Sequence, residues 1–137
     1  MFLLPTILLA LATLATSSLQ IVPGASITAT GTNAHLQAHG GSIVYTGGLY
    51  YLIGENKLNG SAFQSINCYS SPDLVDWAFV GELLSVGDNG GDLGSGRVVE
   101  RPHVLWNEGA GKWVMRERGE CGVEIRIGDV ESWTGLG

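Results

Sequence analysis

Two apolar runs joined by a pair of glycines constrain the fold of this chain most. Ser42–Tyr45 and Leu49–Ile53 flank Gly47-Gly48. A glycine pair in this position predicts a β-hairpin, because hairpin turns need positive φ, which glycine adopts without a Cβ clash. The second run, LYYLI, does not alternate polar with apolar residues, which predicts a strand buried on both faces. That strand leads directly to Glu55, so we expect a carboxylate at the end of a buried strand.

Two more short strands are predicted after this hairpin, at Ser65–Ser70 and Trp77–Val80. Between them, Ser71–Asp76 predicts a turn or a single helical turn, with Pro72 at a first helical position and Asp73 as its cap. Four short strands in succession are typical of one blade of a β-propeller.

The same strand–turn–strand pattern returns later in the chain. His103–Asn107 and Lys112–Met115 predict a second unit of this kind, which matches the first when Gly48 is aligned with Gly111. A third strand of this unit is predicted at Val123–Ile127. A closed propeller needs about four blades or more, so the chain supplies one blade and the beginning of another. A sandwich with similar hairpins is the alternative.

The composition agrees with an all-β protein and narrows its partners. Charged residues make up 15% of the 137 residues and 21 are glycine, which favours short strands and turns over a helical bundle. A net charge of −6 argues against nucleic acid. Two cysteines and three histidines show no metal-ligand spacing, so we expect no metal and no cofactor. Gly87–Arg97 is rich in Gly, Asp and Asn, but it lacks the order of a calcium or phosphate loop and predicts a solvated loop.

The N-terminus predicts secretion. Residues 1–18 contain no charged side chain and an apolar run that gives way to small residues, as in a cleaved signal peptide. The rival hypothesis, a membrane anchor, needs about 20 apolar residues, and this run is shorter. Asn59-Gly60-Ser61 is an N-glycosylation sequon, in agreement with secretion. A secreted protein could form a Cys68–Cys121 disulfide; the alternative is that Cys68 is a buried free thiol.

Glu55 and Glu100 are the candidate site carboxylates. Glycosidases commonly use two carboxylates, one to protonate the leaving oxygen and one to activate water or attack carbon. Glu100 directly precedes the repeated strand, and Pro102 predicts an extended Arg101 and the first position of that strand. Neighbouring side chains of an extended segment point oppositely, so Arg101 is not automatically the partner of Glu100.

Aromatic side chains offer ring faces on which a sugar could stack. Core packing accounts for most of them, because they lie within apolar strands. Tyr51 and Trp106 stand beside polar strand ends and are the better stacking candidates. The full set is Tyr50, Tyr51, Tyr69, Trp77, Trp106 and Trp113.

Three ordered motifs carry a family resemblance. HGGSIVYTGGLYYLIGENK, CYSSPDLVDWAFVGELL and ERPHVLWNEGAGKWVM resemble the first third of glycoside hydrolase family 43, in its exo-β-1,3-galactanase branch. The resemblance implies a five-bladed β-propeller with the site at its central axis. It also implies inverting hydrolysis of β-1,3-galactan, as in arabinogalactan.

The resemblance assigns roles to several residues. Glu100 matches a carboxylate that binds substrate and tunes the proton donor, and Glu55 matches a substrate-contacting acid; His39 and Arg101 are further substrate-binding candidates. Typical members place an Asp base where this chain has Gly40-Gly41. The galactanase branch shares that departure and uses a later Gln. The proton donor is a Glu of a later blade, so both groups are expected beyond residue 137.

Three segments follow from these observations: a signal peptide at 1–18, a partial propeller domain at 19–115, and a divergent tail at 116–137. We expect a secreted, monomeric, truncated relative of galactanases that acts on a polysaccharide and folds poorly alone, because open sheet edges promote aggregation. The alternatives are a non-catalytic secreted carbohydrate-binding domain and a purely structural β-domain.

Overall fold

The structure, a computed structural model, describes residues 26–87, 93–94, 96–119 and 124–126. It is all-β and antiparallel, as the sequence predicts. The expected signal peptide and Cys121 lie outside the described residues. The strands are β1 (His39–Thr46), β2 (Leu49–Glu55), β3 (Ser65–Ser71), β4 (Ala78–Ser85), β5 (Val99–Asn107), β6 (Lys112–Gly119) and β7 (Glu124–Arg126).

The strands form two antiparallel meanders. The first sheet has the order β1-β2-β3-β4, and the second has the order β5-β6-β7. The predicted strands are confirmed, and most extend beyond their predicted ends. The strand predicted from Trp77 begins at Ala78, and the boundary expected at residue 115 falls inside β6. No helix in the described part of the chain has the length and hydropathy to cross a membrane.

Glycine sets the conformation of both hairpin turns. Gly47 and Gly48 join β1 to β2 with φ values of +58° and +84°, as the glycine pair predicts. The second hairpin has a longer loop, Glu108–Gly111, in which Ala110 N donates to Asn107 Oδ1 at 3.0 Å. The alignment of Gly48 with Gly111 therefore holds for β2 and β6, which begin directly after these glycines. The longer second loop shifts β5 relative to β1 in the same alignment.

Strand β2 is covered on both faces, as its continuous apolar run predicts. One face contributes Tyr51 and Ile53 to a core that also contains Val99, Val104 and Met115 of the second sheet. Strand β1 packs against β5 at this junction. Burial of these side chains holds the two sheets together.

The other face of the first sheet is covered by the segment that precedes β1. Ala29 packs with Tyr69 and Trp77, and Thr30 N donates to Trp77 O at 2.6 Å. Trp77 is 2% exposed, and its indole N–H donates to Leu74 O at 3.2 Å. The entry segment is thereby fixed to the sheet directly before it reaches β1.

The connection between β3 and β4 is a turn without a helix, so only the turn alternative of the prediction is correct. Ser71 Oγ accepts a hydrogen bond from Leu74 N at 2.8 Å. Asp73 Oδ1 accepts from Val75 N and Asp76 N, both at 2.9 Å. Two side-chain oxygens thus replace the backbone bonds that a helical turn would make.

Candidate functional site

A β-bulge interrupts the first strand of each sheet near its beginning. In the first sheet His39 pairs with Glu55 and Ser42 with Ile53, so Gly40-Gly41 is one residue longer than its partner segment. In the second sheet Glu100 pairs with Arg118 and His103 with Arg116, which places Arg101-Pro102 in the same position. Bulges redirect side chains and are frequent beside active sites. The two bulges lie in the region predicted to carry the site.

Close backbone contacts explain the glycines of the first bulge. A Cβ on Gly41 would lie 2.7 Å from Ile53 O, and a Cβ on Gly54 would lie 2.4–2.6 Å from the Ala38 backbone. A Cβ on Gly40 would contact the second bulge, at 3.2 Å from Arg101 Cγ and 3.3 Å from Arg101 Cα. The two bulges therefore touch, and a side chain at residue 40 would require Arg101 and Glu55 to shift by a few tenths of an ångström.

Glu55 joins the two sheets at this point. Its Oε1 accepts a hydrogen bond from Arg101 N at 2.8 Å, and its Oε2 lies 2.5 Å from Lys57 Nζ. The Oε2–Nζ contact is an ion pair, although Oε2 makes no hydrogen bond of good geometry. Glu55 is only 4% exposed. Burial of a carboxylate is costly unless it is paired, and here both oxygens are engaged.

Arg101 is not extended, contrary to the prediction from Pro102. Its φ is +54°, in the left-handed region. A left-handed conformation costs an L-residue about 1–2 kcal/mol, whereas a hydrogen bond to a charged acceptor contributes about 1.5–3 kcal/mol. The bond from Arg101 N to Glu55 is therefore strong enough to offset the strain. Pro102 is the fourth residue of β5, where the bulge removes the need for a ladder donor.

Lys57 is a site residue that the sequence reasoning missed. Its Nζ also donates to Ser61 O at 3.2 Å, and its backbone N donates to Gln37 Oε1 at 3.4 Å. Gln37 N in turn donates to Tyr69 Oη at 3.0 Å, so the ion pair is anchored to the sheet. The signal was present: residues two apart in an extended chain share a side, which places Glu55 and Lys57 together.

The exposed groups around Glu55 are Glu100, Arg101 and His39. Among the side chains that the structure describes, the Glu100 carboxylate and the Arg101 guanidinium have no hydrogen-bond or ion-pair partner. His39 lines an open groove of about 480 Å³ between the entry segment and Leu52. The structure thus brings four of the predicted site residues to one end of the paired sheets.

The two aromatic candidates do not join them. Tyr51 is 3% exposed and belongs to the core between the sheets, so its ring is covered by protein. Burial also raises the pKa of its phenol. Trp106 is 49% exposed, but it lies five residues along β5 from Arg101, about 16 Å away at strand spacing. It packs edge-to-face on Trp113, with ring centroids 5.5 Å apart. Burial therefore contradicts the prediction that the Tyr51 ring stacks on a sugar, whereas the stacking role of Trp106 stays a prediction.

The remaining predicted residues lie as follows. Asn59 is exposed, in the turn closed by the hydrogen bond from Gly60 N to Lys57 O at 3.1 Å. Cys68 is a fully buried free thiol whose pKa burial raises to about 12, and its possible partner Cys121 lies outside the described residues. Within the described ranges, no three His, Cys, Asp or Glu side chains are placed to hold a metal ion.

Solved structures similar to this chain include exo-β-1,3-galactanases and β-1,3-galactosidases. An exo-β-1,3-galactanase from Phanerochaete chrysosporium, solved with galactose, is 32% identical, with 80% of this chain and 29% of that one covered and a TM-score of 0.67. An exo-β-1,3-galactanase from Clostridium thermocellum is 35% identical, with 75% and 22% covered and a TM-score of 0.65. A GH43 β-1,3-galactosidase solved with galactodeoxynojirimycin is 38% identical, with 73% and 30% covered and a TM-score of 0.66.

The similarity is confined to part of each enzyme. The chain spans between about a fifth and a third of the length of the solved structures that it matches. No protein-family model and no curated protein matches it. The identities exceed 30% over most of this chain, and the structures agree over the same stretch. Over the stretch that it shares with these enzymes, the chain is similar to the exo-β-1,3-galactanases and β-1,3-galactosidases of glycoside hydrolase family 43.

Proposed function

We propose that the protein acts on β-1,3-galactan, as in arabinogalactan, and that the end of the sheets carrying Glu100 and Arg101 contacts the sugar. The observation that carries this proposal is the Glu100-Arg101-Pro102 bulge, whose two charged side chains are exposed and unpaired among described residues. A carboxylate and a guanidinium are the hydrogen-bonding groups that orient sugar hydroxyls. In support, the fungal galactanase has been solved with galactose and with β-1,3-galactotriose.

We further propose that Glu100 orients the substrate and tunes the proton donor, and that the proton donor and the base are other residues of a complete enzyme. Inverting glycosidases hold an acid and a base about 6.5–9.5 Å apart, with room for a water between them. Glu55 is buried and engaged by Lys57 and Arg101, which disfavours it for either role. The chain itself therefore contributes binding and orientation.

The finer features of the proposal concern the whole protein. We propose that it is secreted through the segment 1–18, N-glycosylated at Asn59, monomeric, and part of a five-bladed propeller. The exposure of Asn59 in a turn supports glycosylation, because the enzyme that attaches an N-linked glycan needs an accessible asparagine. The contact between β1 and β5, the first strands of successive sheets, supports the arrangement of blades. Secretion is tested by expressing the chain in a eukaryotic host and sequencing the N-terminus of the exported product.

The activity is tested with two measurements on the 137-residue chain. The first is the affinity for β-1,3-galactotriose, and the second is galactose release from β-1,3-galactan. We compare Glu100→Gln with Glu108→Gln, an exposed acid in the hairpin loop at the other end of β5. We expect triose binding that Glu100→Gln weakens and Glu108→Gln leaves unchanged, without galactose release.

Each outcome decides between hypotheses. Galactose release that Glu100→Gln abolishes would overturn the assignment of acid and base to other residues. Restoration of release by a longer product of the same gene would support that assignment. Binding without release in any longer product would favour a non-catalytic carbohydrate-binding domain. Absence of triose binding by folded protein would refute the proposed function.

A further inference from the structure

The equivalent positions of the two bulges have the same backbone conformation but very different residues. Gly40 and Arg101 each follow directly the paired residue that opens the bulge, and their φ values are +57° and +54°. Glycine adopts this conformation without strain, whereas arginine does not. An interaction at the second bulge must therefore stabilise in Arg101 the conformation that Gly40 adopts without help.

Glu55 is the group in contact with the strained residue. Its Oε1 accepts the Arg101 N–H at 2.8 Å, through the backbone and not through the guanidinium. Its other oxygen is held by Lys57, whose Nζ is fixed by Ser61 O. A carboxylate held from one side is a fixed acceptor, and a fixed acceptor selects the conformation that aims the Arg101 N–H at it.

We propose that Glu55 is a positioning residue: it holds Arg101 in the left-handed conformation and thereby sets the direction in which Glu100 and Arg101 face the substrate. The effect on substrate binding rests on the proposed function, whereas the effect on the conformation of Arg101 does not. It differs from the role implied by family resemblance, in which Glu55 contacts the sugar directly. Positioning depends on the reach of the side chain to Arg101 N, whereas direct contact depends on its charge.

Two variants separate reach from charge. Glu55→Gln keeps an acceptor oxygen at the same distance and loses the charge. Glu55→Asp keeps the charge but is one methylene shorter, so it no longer reaches Arg101 N. Glu108→Asp, in the hairpin loop, makes the same chemical change away from the site and serves as the control. Both Glu55 variants remain polar, which preserves a partner for Lys57.

The measurements are made by NMR and by titration on the full-length chain. A strong intraresidue HN–Hα NOE at residue 101 marks positive φ, and amide exchange reports its hydrogen bond. We expect Glu55→Gln to retain the NOE, whereas Glu55→Asp loses it and exchanges about tenfold faster or more, as a bond to a charged acceptor requires. We expect Glu55→Asp to weaken β-1,3-galactotriose binding about tenfold and Glu55→Gln to weaken it less, since tenfold corresponds to one such bond.

The results distinguish this inference from the proposed function. The NOE persisting in Glu55→Asp would overturn the positioning role whatever the chain binds. A greater loss of triose affinity in Glu55→Gln than in Glu55→Asp would assign Glu55 to direct contact. If wild-type protein binds no triose, the proposed function fails, and the NOE and exchange results still decide the conformational role.

Discussion

Gly40 lies directly against Arg101, and both residues have the left-handed φ that marks the bulge in each sheet. The position that a Cβ on Gly40 would occupy is 3.2 Å from both Arg101 Cγ and Glu55 Oε1. A side chain at residue 40 would therefore press on both partners of the hydrogen bond that connects the sheets. This contact links a glycine of the first sheet to the conformation of the site.

Replacing Gly40 should cost more than the backbone strain alone. Gly40→Ala is expected to lower the free energy of unfolding by about 1–2 kcal/mol through its positive φ and by about 1–3 kcal/mol more through disturbance of the Glu55 bond. Gly47→Ala is the control, because Gly47 has a φ of +58° but no atom within 4 Å of its Cβ position. Urea denaturation measures both. Equal losses would show that the contact with Arg101 and Glu55 contributes nothing.

Gly54 should be even less tolerant, although its φ is not in the left-handed region. A Cβ would lie within 2.6 Å of the Ala38 backbone, so the entry segment would have to move away from β2. We expect Gly54→Ala to destabilise the protein by about 3 kcal/mol or more, the upper range for overpacking. Gly96→Ala, with no atom within 4 Å, should change stability by less than about 0.5 kcal/mol. Similar melting temperatures for the two variants would contradict the close approach.

The positions of the strands could be predicted from the sequence because they depend on local patterns. Gly47-Gly48 between apolar runs specifies a turn, and the continuous run Leu49–Ile53 specifies burial on both faces. The family resemblance named Glu55, Glu100 and Arg101 as candidates, and the structure brings these three residues together. Their grouping depends on the contact between Glu55 and Arg101, which are about 46 positions apart in the chain. A local sequence pattern cannot predict such a contact.

The bulges explain what the sequence reasoning could not predict. The rule for residues before proline predicted an extended Arg101, but a tertiary hydrogen bond from Glu55 outweighs that local preference. Tyr51 was predicted to stand beside a polar strand end. It shares a side of β2 with Ile53, however, and that side faces the second sheet. In both cases packing between the sheets decides the outcome.

Lys57 should be required for the stability of Glu55. In Lys57→Met the Oε2 oxygen of a 4%-exposed carboxylate loses its cation, and we expect a loss of about 1–3 kcal/mol, the cost of an unsatisfied buried group. Adding Glu55→Gln should restore part of the loss, because the remaining group is neutral. Lys112→Met, at an exposed position of the second hairpin, should change stability by less than about 0.5 kcal/mol. An equal effect of the two lysine substitutions in urea denaturation would argue against the ion pair.

Cys68 should make the protein less stable at alkaline pH. Burial raises the pKa of its thiol from 9.0 to about 12, so the folded state retains a proton that the unfolded state releases. Stability then falls as the pH rises through this window, by about 1.4 kcal/mol per unit. The decline begins near pH 9, the ordinary pKa of the thiol, and unfolding free energies between pH 8 and pH 10 test it; Tyr51, whose pKa burial also raises from 10.0, contributes mainly above that range. Cys68→Ala should flatten the decline, and an unchanged slope would assign it to other groups.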